Sequence, residues 1–285
     1  MTTTASPENI PAEREEAQDD APRPAPTGFV ADLGRGILDL FTGAKALYEV
    51  FGRTLYWTFK GPQEKGAVLQ QCYEIGNQSV FFISVTMGFI GMILVFQSAL
   101  QALRVVPDLT MLGAMYLEIL VRDLAASLGA MMLATRVGAG IAAEIGSMVV
   151  TEQVDALRMS GVDPVKYLIV PRFLASMIMT GVLIIWAGTL SFVAGGATAY
   201  FLFDVQPLTF ANPILLDKGD LIIGLTKCIA YGAAIPVVSG YCGLSTFGGS
   251  EGVGWATTRA VVNSSLAVIV LNFFISGAGF LLFPV

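Results

Sequence analysis

Residues Phe81–Phe96 read FFISVTMGFIGMILVF, a run with no charge and only Ser84 and Thr86 polar. Extended to about 79–103, it supplies the roughly 20 apolar residues with which a helix crosses a bilayer. Four more apolar spans follow it. They lie at about 123–146, which carries Arg136, and about 173–203, long enough to tilt or to bend at Gly195-Gly196. The last two are about 220–243, with Pro236 inside, and about 260–283. The chain therefore reads as an all-α polytopic membrane protein with about five transmembrane helices.

Composition agrees. Hydrophobic residues make up 54% and charged residues 13% of the 285, against about 25% charged in soluble domains. The net charge of −6 is local: residues 1–27 hold six carboxylates and two arginines. That Pro-rich stretch has no basic segment leading into an apolar one, so it reads as a disordered tail. The chain has no histidine, which removes histidine acid–base chemistry and histidine metal sites. Cys72, Cys228 and Cys242 have no CxxC spacing and read as small apolar residues.

Between tail and first span, residues 28–65 alternate apolar and basic on a helical period. Phe29, Leu33, Ile37, Leu40 and Phe41 can share a face, continued by Leu47, Val50, Phe51, Leu55 and Phe59. With Tyr48, Tyr56 and Trp57 near five basic residues, the segment reads as an amphipathic helix lying in the membrane interface. A cytosolic helix packed on another subunit is the alternative. The remaining domain is 66–285.

Lys and Arg near the span ends set the orientation. Nine lie on the side of the N-terminus and three on the other. This predicts a cytoplasmic N-terminus and, after five crossings, a C-terminus outside.

The second-to-third connection, TRVGAGIAAEIGSMVVTEQVDALRMSGVDPVKYLIVPR at 135–172, is the most patterned part of the chain. Val150, Val154 and Leu157 fall on one helical face; Glu152, Asp155 and Arg158 form a charged face, Asp155 within reach of Arg158. Gly161 suits a helix end, and Asp163-Pro164 suits a cap with Pro at the first helical position. A short charged amphipathic helix is thus expected between two spans on the cytoplasmic side.

These residues resemble the signature of the MlaE/YrbE permease family, the integral subunits of ABC transporters that work with MCE-domain proteins. The likeness rests on AEIGSM (143–148), TEQVDAL (151–157), Gly161, Asp163-Pro164, Tyr167-Leu168 and Pro171-Arg172. It rests also on EGVGWATTRAVVNSS (251–265) and on GFIGM (88–92) with Gln97, and covers roughly 66–283. One departure is Arg122-Asp123-Leu124-Ala125-Ala126, where the family usually has Arg-Glu-Leu-Gly-Pro. The resemblance implies that Glu144 to Leu157 is a coupling helix seated in a cytoplasmic ATPase, with Glu144, Met148, Thr151, Glu152, Gln153, Asp155 and Leu157 as contact residues. It implies a permease dimer, two ATPase subunits, an MCE ring on the outer face, and a bacterial inner-membrane location. No G-x-x-x-x-G-K-[ST] occurs, so ATP and Mg belong to the partner, and this chain is not itself an enzyme. Gly252-Val253-Gly254 reads as a turn before a cap at Thr257 or Thr258.

The implied substrate is a lipid, most simply a phospholipid. Met92, Val95, Phe96 and Leu100 would line its cavity at the permease dimer interface, beside Gly88 and Gly91, which allow close approach or bending. Arg136 has two readings, a lipid-headgroup contact or gate and a structural ion pair, with Glu144, Glu118 or Asp123 as candidate partners. Asn263, Ser264, Ser265 and Asn272 suit interhelical hydrogen bonds. A secondary transporter of an amphipathic small molecule is the competing function; it calls for ionisable groups or broken helices at mid-membrane.

Overall fold

The computed structural model describes residues 29–61, 65–105 and 109–282. The acidic tail assigned to 1–27 lies outside the described residues. The chain divides into two compact units, Met1–Ala46 and Leu47–Val285. Helix α1 (Phe29–Lys60) begins in the first. The second holds α2 (Lys65–Val105), α3 (Leu112–Ile119), α4 (Ala125–Leu133) and α5 (Ala139–Val150). It continues with α6 (Gln153–Met159), α7 (Val170–Phe203), α8 (Pro207–Phe210), α9 (Lys218–Leu244) and α10 (Gly249–Leu282). No strand occurs among the described residues.

Among the described residues four helical stretches are long and apolar enough to cross a membrane: Gly66–Arg104, Val165–Phe203, Lys218–Leu244 and Gly249–Leu282. The second expected span, about 123–146, falls in a helical path that π-helical turns at Leu120–Leu124 and Ala134–Gly138 divide into pieces of 8, 9 and 12 residues. A third π turn, Val165–Ile169, opens the path into α7. Each π turn holds one residue more than an α turn and so re-aims the side chains that follow. Arg122 and Asp123, where the sequence departs from the resembled motif, lie in the first of these π turns.

Helix α2 packs along α7. Gly91 lies so close to the backbone carbonyl and hydroxyl of Ser191 that a Cβ would not fit. Ser191 Oγ is also 2.9 Å from the hydroxyl of Tyr116. One turn on, Val95 is wholly buried against Gly195. Gly195-Gly196 does not interrupt the helix: α7 runs unbroken to Phe203, and the two glycines receive Val95 and Phe210.

Helix α9 lies against α5, α7 and α10. Its contacts with α10 include the expected hydrogen bonds: Ser239 Oγ to Ser264 Oγ at 3.1 Å, and Tyr231 OH donating to Asn272 at 3.0 Å. The expected turn at Gly252–Gly254 is absent. Helix α10 already starts at Gly249, and the Thr257 and Thr258 hydroxyls donate back to the Gly254 carbonyl rather than cap anything. Away from these contacts Phe81, Phe89, Ile93, Phe273 and Phe274 face outward, as suits helices solvated by hydrocarbon.

In α1 the inward residues from Leu47 on are Val50, Phe51, Thr54 and Trp57, with Thr54 fully buried. Leu55 and Phe59, expected on that face, point outward. The hydroxyl of Thr54 can turn inward because it donates to the Val50 carbonyl at 2.7 Å.

Candidate functional site

Chemistry-bearing residues collect at three places: the α5–α7 connector, a polar cleft between α2 and the 136–144 segment, and an ionic cluster between the first π turn and α9.

The connector is two helices, not one. Val149, Val150 and Thr151 are β-branched, which weakens helix here. The Thr151 hydroxyl donates to Ser147 O at 2.8 Å, and Glu152 takes a left-handed φ of 60°. Val150 therefore leaves the face shared by Val154 and Leu157. Helix α6 seats Val154, 3% exposed, against the bundle. Its other side presents Glu152, Gln153, Asp155, Arg158 and Met159, and Arg158 reaches Asp155 at 3.0 Å.

The helix ends as expected. Gly161 has φ of +74°, and the Gly161 and Val162 N–H groups donate to Arg158 O and Leu157 O, both at 3.0 Å. That double bond pattern needs a left-handed residue at its centre. Asp163 then caps the next helix, its Oδ1 accepting from Val165 N at 3.0 Å.

Asp163 also ties the connector to α1. Its Oδ2 accepts from Arg53 Nη2 at 2.7 Å and from Trp57 Nε1 at 3.0 Å. The Lys166 ammonium sits 4.8 Å over the Trp57 ring. Burial pushes the Asp163 carboxyl up, but the donors Arg53, Val165 and Trp57 and the Arg53 charge outweigh it and hold the group below the usual carboxylate range.

Of the expected ATPase contacts, Thr151, Glu152, Gln153 and Asp155 lie on the open surface, while Leu157 and Met148 are half-buried. Glu144 stands apart from them. It pairs with the buried Arg172 at 2.6 Å, joining α5 to α7. Arg172 is further anchored by donating to Leu168 O at 2.7 Å.

Arg136 meets none of its expected carboxylate partners. Glu144 is taken by Arg172 and Asp123 by Lys227. Arg136 instead donates to the neutral Gln78 Oε1 at 2.7 Å. It lines a cleft of about 200 Å³ together with Gln71, Glu74, Ser79 and Glu144.

The third cluster escaped the sequence reading, which treated Arg136 as the one strong charge inside a span. Lys227 lies in α9 with its side chain 1% exposed. Its ammonium donates to Asp123 Oδ1 at 2.5 Å and to Arg122 O at 3.2 Å. Arg122 in turn reaches Asp220 at 3.4 Å. Asp220 closes a reciprocal cap with Asp217 at the start of α9, accepting from Asp217 N at 3.1 Å. The signal is present in the sequence: a lysine in a span requires a partner, and Asp123, a candidate for Arg136, serves Lys227 instead.

Of the expected lipid-cavity residues, Phe96 and Leu100 are exposed, Met92 is half-buried and Val95 is packed into α7. A separate apolar cavity of about 420 Å³ lies within the single chain. That cavity lies among Leu117, Val121, Ile184, Phe192, Leu225 and Cys228, beside the Lys227 cluster.

The connector geometry and the family comparison converge. The model of the permease MlaE family matches residues 68–278. This chain belongs to the MlaE permease family. Among its relatives is a probable ABC transporter permease protein of Synechocystis sp., 35% identical over 81% of this chain and 88% of that protein. Another is the intermembrane phospholipid transport system permease protein MlaE of Haemophilus influenzae, 31% identical over 88% and 97% of the two chains. A third is the chloroplastic protein trigalactosyldiacylglycerol 1 of Arabidopsis thaliana, 32% identical over 81% and 67%. The matched residues of this MlaE-family chain include the α5–α7 connector, Gly88 and Gly91 of α2, the Arg136 cleft and the Lys227 cluster, but not the part of α1 that Asp163 holds.

Proposed function

We propose that this chain is the membrane-spanning subunit of an ABC transporter that moves phospholipid between membranes of a bacterial envelope. The observation that carries this reading is the family match over residues 68–278, whose relative in Haemophilus influenzae is named for intermembrane phospholipid transport. The connector supports it: α6 offers a compact surface of exposed charges, with Met159 at its end, on a helix seated by Val154. A separate ATPase docks there, so the connector end is cytoplasmic. The N-terminus lies on the same side, α1 rests in the interface with Leu55, Tyr56 and Phe59 toward lipid, and the C-terminus is outside. A second copy of the chain and an MCE-domain ring complete the assembly.

Reconstitution tests the reading. The chain, its ATPase and its MCE partner in proteoliposomes should transfer labelled phospholipid to acceptor vesicles only with hydrolysable ATP. The Lys227–Asp123 pair is what a secondary transporter would use to bind a coupling ion. Transfer driven by a proton gradient without ATP would favour that function and overturn this one.

A further inference from the structure

The cleft around Arg136 has the makings of a ligand site that the transport reading does not use. It lies between α2 and the second π turn, and its walls are Gln71, Glu74, Gln78, Ser79, Arg136 and Glu144. Two of its polar groups lack the partner their chemistry requires. Among the described residues Arg136 has no carboxylate within ion-pair distance, and its recorded hydrogen bond goes to the neutral Gln78. Ser79 is 1% exposed, and its hydroxyl has no hydrogen-bond partner among the described residues, an uncommon state for a buried polar group. The two carboxylates differ. Glu144 is neutralised by Arg172 at 2.6 Å. Glu74 receives only the amides of Gln70 and Gln71, at 3.1 and 3.3 Å. One cation and one anion thus share a cleft without pairing to each other.

The depth is also informative. On α2 the residues Gln70, Gln71, Glu74, Asn77, Gln78 and Ser79 give way at Val80 to the unbroken apolar run. The cleft sits at that boundary, where headgroups meet hydrocarbon. Its volume of about 200 Å³ is several times the ~30 Å³ of one water.

We propose that this cleft binds the headgroup of a zwitterionic phospholipid carrying a primary ammonium, at the connector end of the bundle. Arg136 and the Ser79 hydroxyl donate to the phosphodiester oxygens. Glu74 accepts from the ammonium. Gln78, now bonded to Arg136, gives up or shares that donor when phosphate arrives. The proposal rests on the lipid-transport reading for its ligand class, but not on ATP-driven movement.

The test uses the full-length chain in detergent, with binding followed by displacement of a fluorescent short-chain lipid. Dihexanoyl phosphatidylethanolamine should compete, and Arg136→Gln should weaken it at least tenfold. Glu74→Gln should weaken the ethanolamine lipid at least fivefold and leave the phosphatidylglycerol analogue within twofold. Ser79→Ala, a small change in a buried position, should cost threefold or more and guards against misfolding of the Arg136 variant; all variants must elute as the native species. Wild-type and Arg136→Gln protein binding equally would overturn the site. Inorganic phosphate competing as well as the lipid would overturn the headgroup assignment in favour of a free anion. Equal losses for both lipids in Glu74→Gln would overturn the zwitterion preference. If binding behaves as stated while the reconstituted transporter moves no lipid, the site stands and the transport function fails.

Discussion

Removing the carboxylate of Asp123 should destabilise the bundle by about 3 kcal/mol, and removing the lysine it pairs with should restore most of that loss. The Lys227 ammonium is 2.5 Å from Asp123 Oδ1, with the Arg122 carbonyl at 3.2 Å as its other partner. Two unit charges 2.5 Å apart attract by roughly 7 kcal/mol at an effective dielectric of about 20. Most of this is offset by desolvation, yet breaking a buried pair by deleting one member costs about 3–5 kcal/mol, because a bare charge is left behind. The Asp123 side chain is 42% exposed, so water partly replaces it and the lower end applies. A loss of about 3 kcal/mol lowers the folded-to-unfolded ratio by roughly 150-fold. In Asp123→Ala with Lys227→Met neither member of the pair is left as an unpaired buried charge, and the loss should shrink to about 1 kcal/mol. Equilibrium unfolding in mixed micelles, followed by the fluorescence of Trp57, Trp186 and Trp255, measures all four corners of the cycle. A coupling energy below about 0.5 kcal/mol, or a double variant no better than Asp123→Ala, would refute the claim that Lys227 is held by this carboxylate.

Gly91→Ala should destabilise by about 1–3 kcal/mol, since its Cβ meets the Ser191 backbone, whereas Gly88→Ala should be neutral because nothing lies within 4 Å of its Cβ; paired melting curves decide. Asp163→Asn should release α1, raising hydrogen exchange across residues 47–60 while α9 stays protected. Because the folded Asp163 carboxyl lies below its usual range, its stabilisation is fully present above the ordinary value of about 3.9 and is lost as pH falls through the folded value; wild-type protection of α1 should hold at pH 5 and fail in strong acid. Charge reversal at Glu152 or Asp155 should weaken co-purification of the ATPase and leave membrane insertion intact, and unchanged binding in both would move the docking surface elsewhere.

Legibility in the sequence followed the strength of local signals. Phe81–Phe96 and the last two spans could be read because long apolar runs have few alternatives. Gly161 and Asp163-Pro164 could be read because a left-handed helix end and a cap each need particular side chains. The π turns could not, since they depend on which carbonyl each N–H chooses and leave no periodicity of their own; they divide the path where a single second span was expected. Lys227 was lost by averaging, one ammonium within the apolar stretch of Lys218–Leu244. The partner of Arg136 was sought among carboxylates. At the polar edge of α2 the guanidinium, which is exposed, meets a neutral glutamine instead, and its charge is left without a carboxylate among the described residues.

With an ATPase docked on α6 as proposed, the connector geometry suits it to transmit displacement. Between Met159 and Val165 five residues intervene, and the backbone at Gly161, Val162 and Asp163 is fixed by recorded hydrogen bonds. Slack is therefore small, and a push on α6 reaches the start of α7 as a nearly rigid movement. Two further ties spread it. Asp163 carries it to Arg53 and Trp57 of α1, and the Arg172–Glu144 pair carries it back to α5, before the break at Thr151. The break matters in this respect. One continuous helix from Glu144 to Leu157 would force α6 to move as an extension of α5. With Glu152 in a left-handed turn, α6 can pivot on Val154 while Arg172 keeps α5 and α7 together. Motion entering at the exposed charges would then appear first as a shift of α7 and α1 against α2. The Arg136 cleft lies on α2 beside that moving boundary.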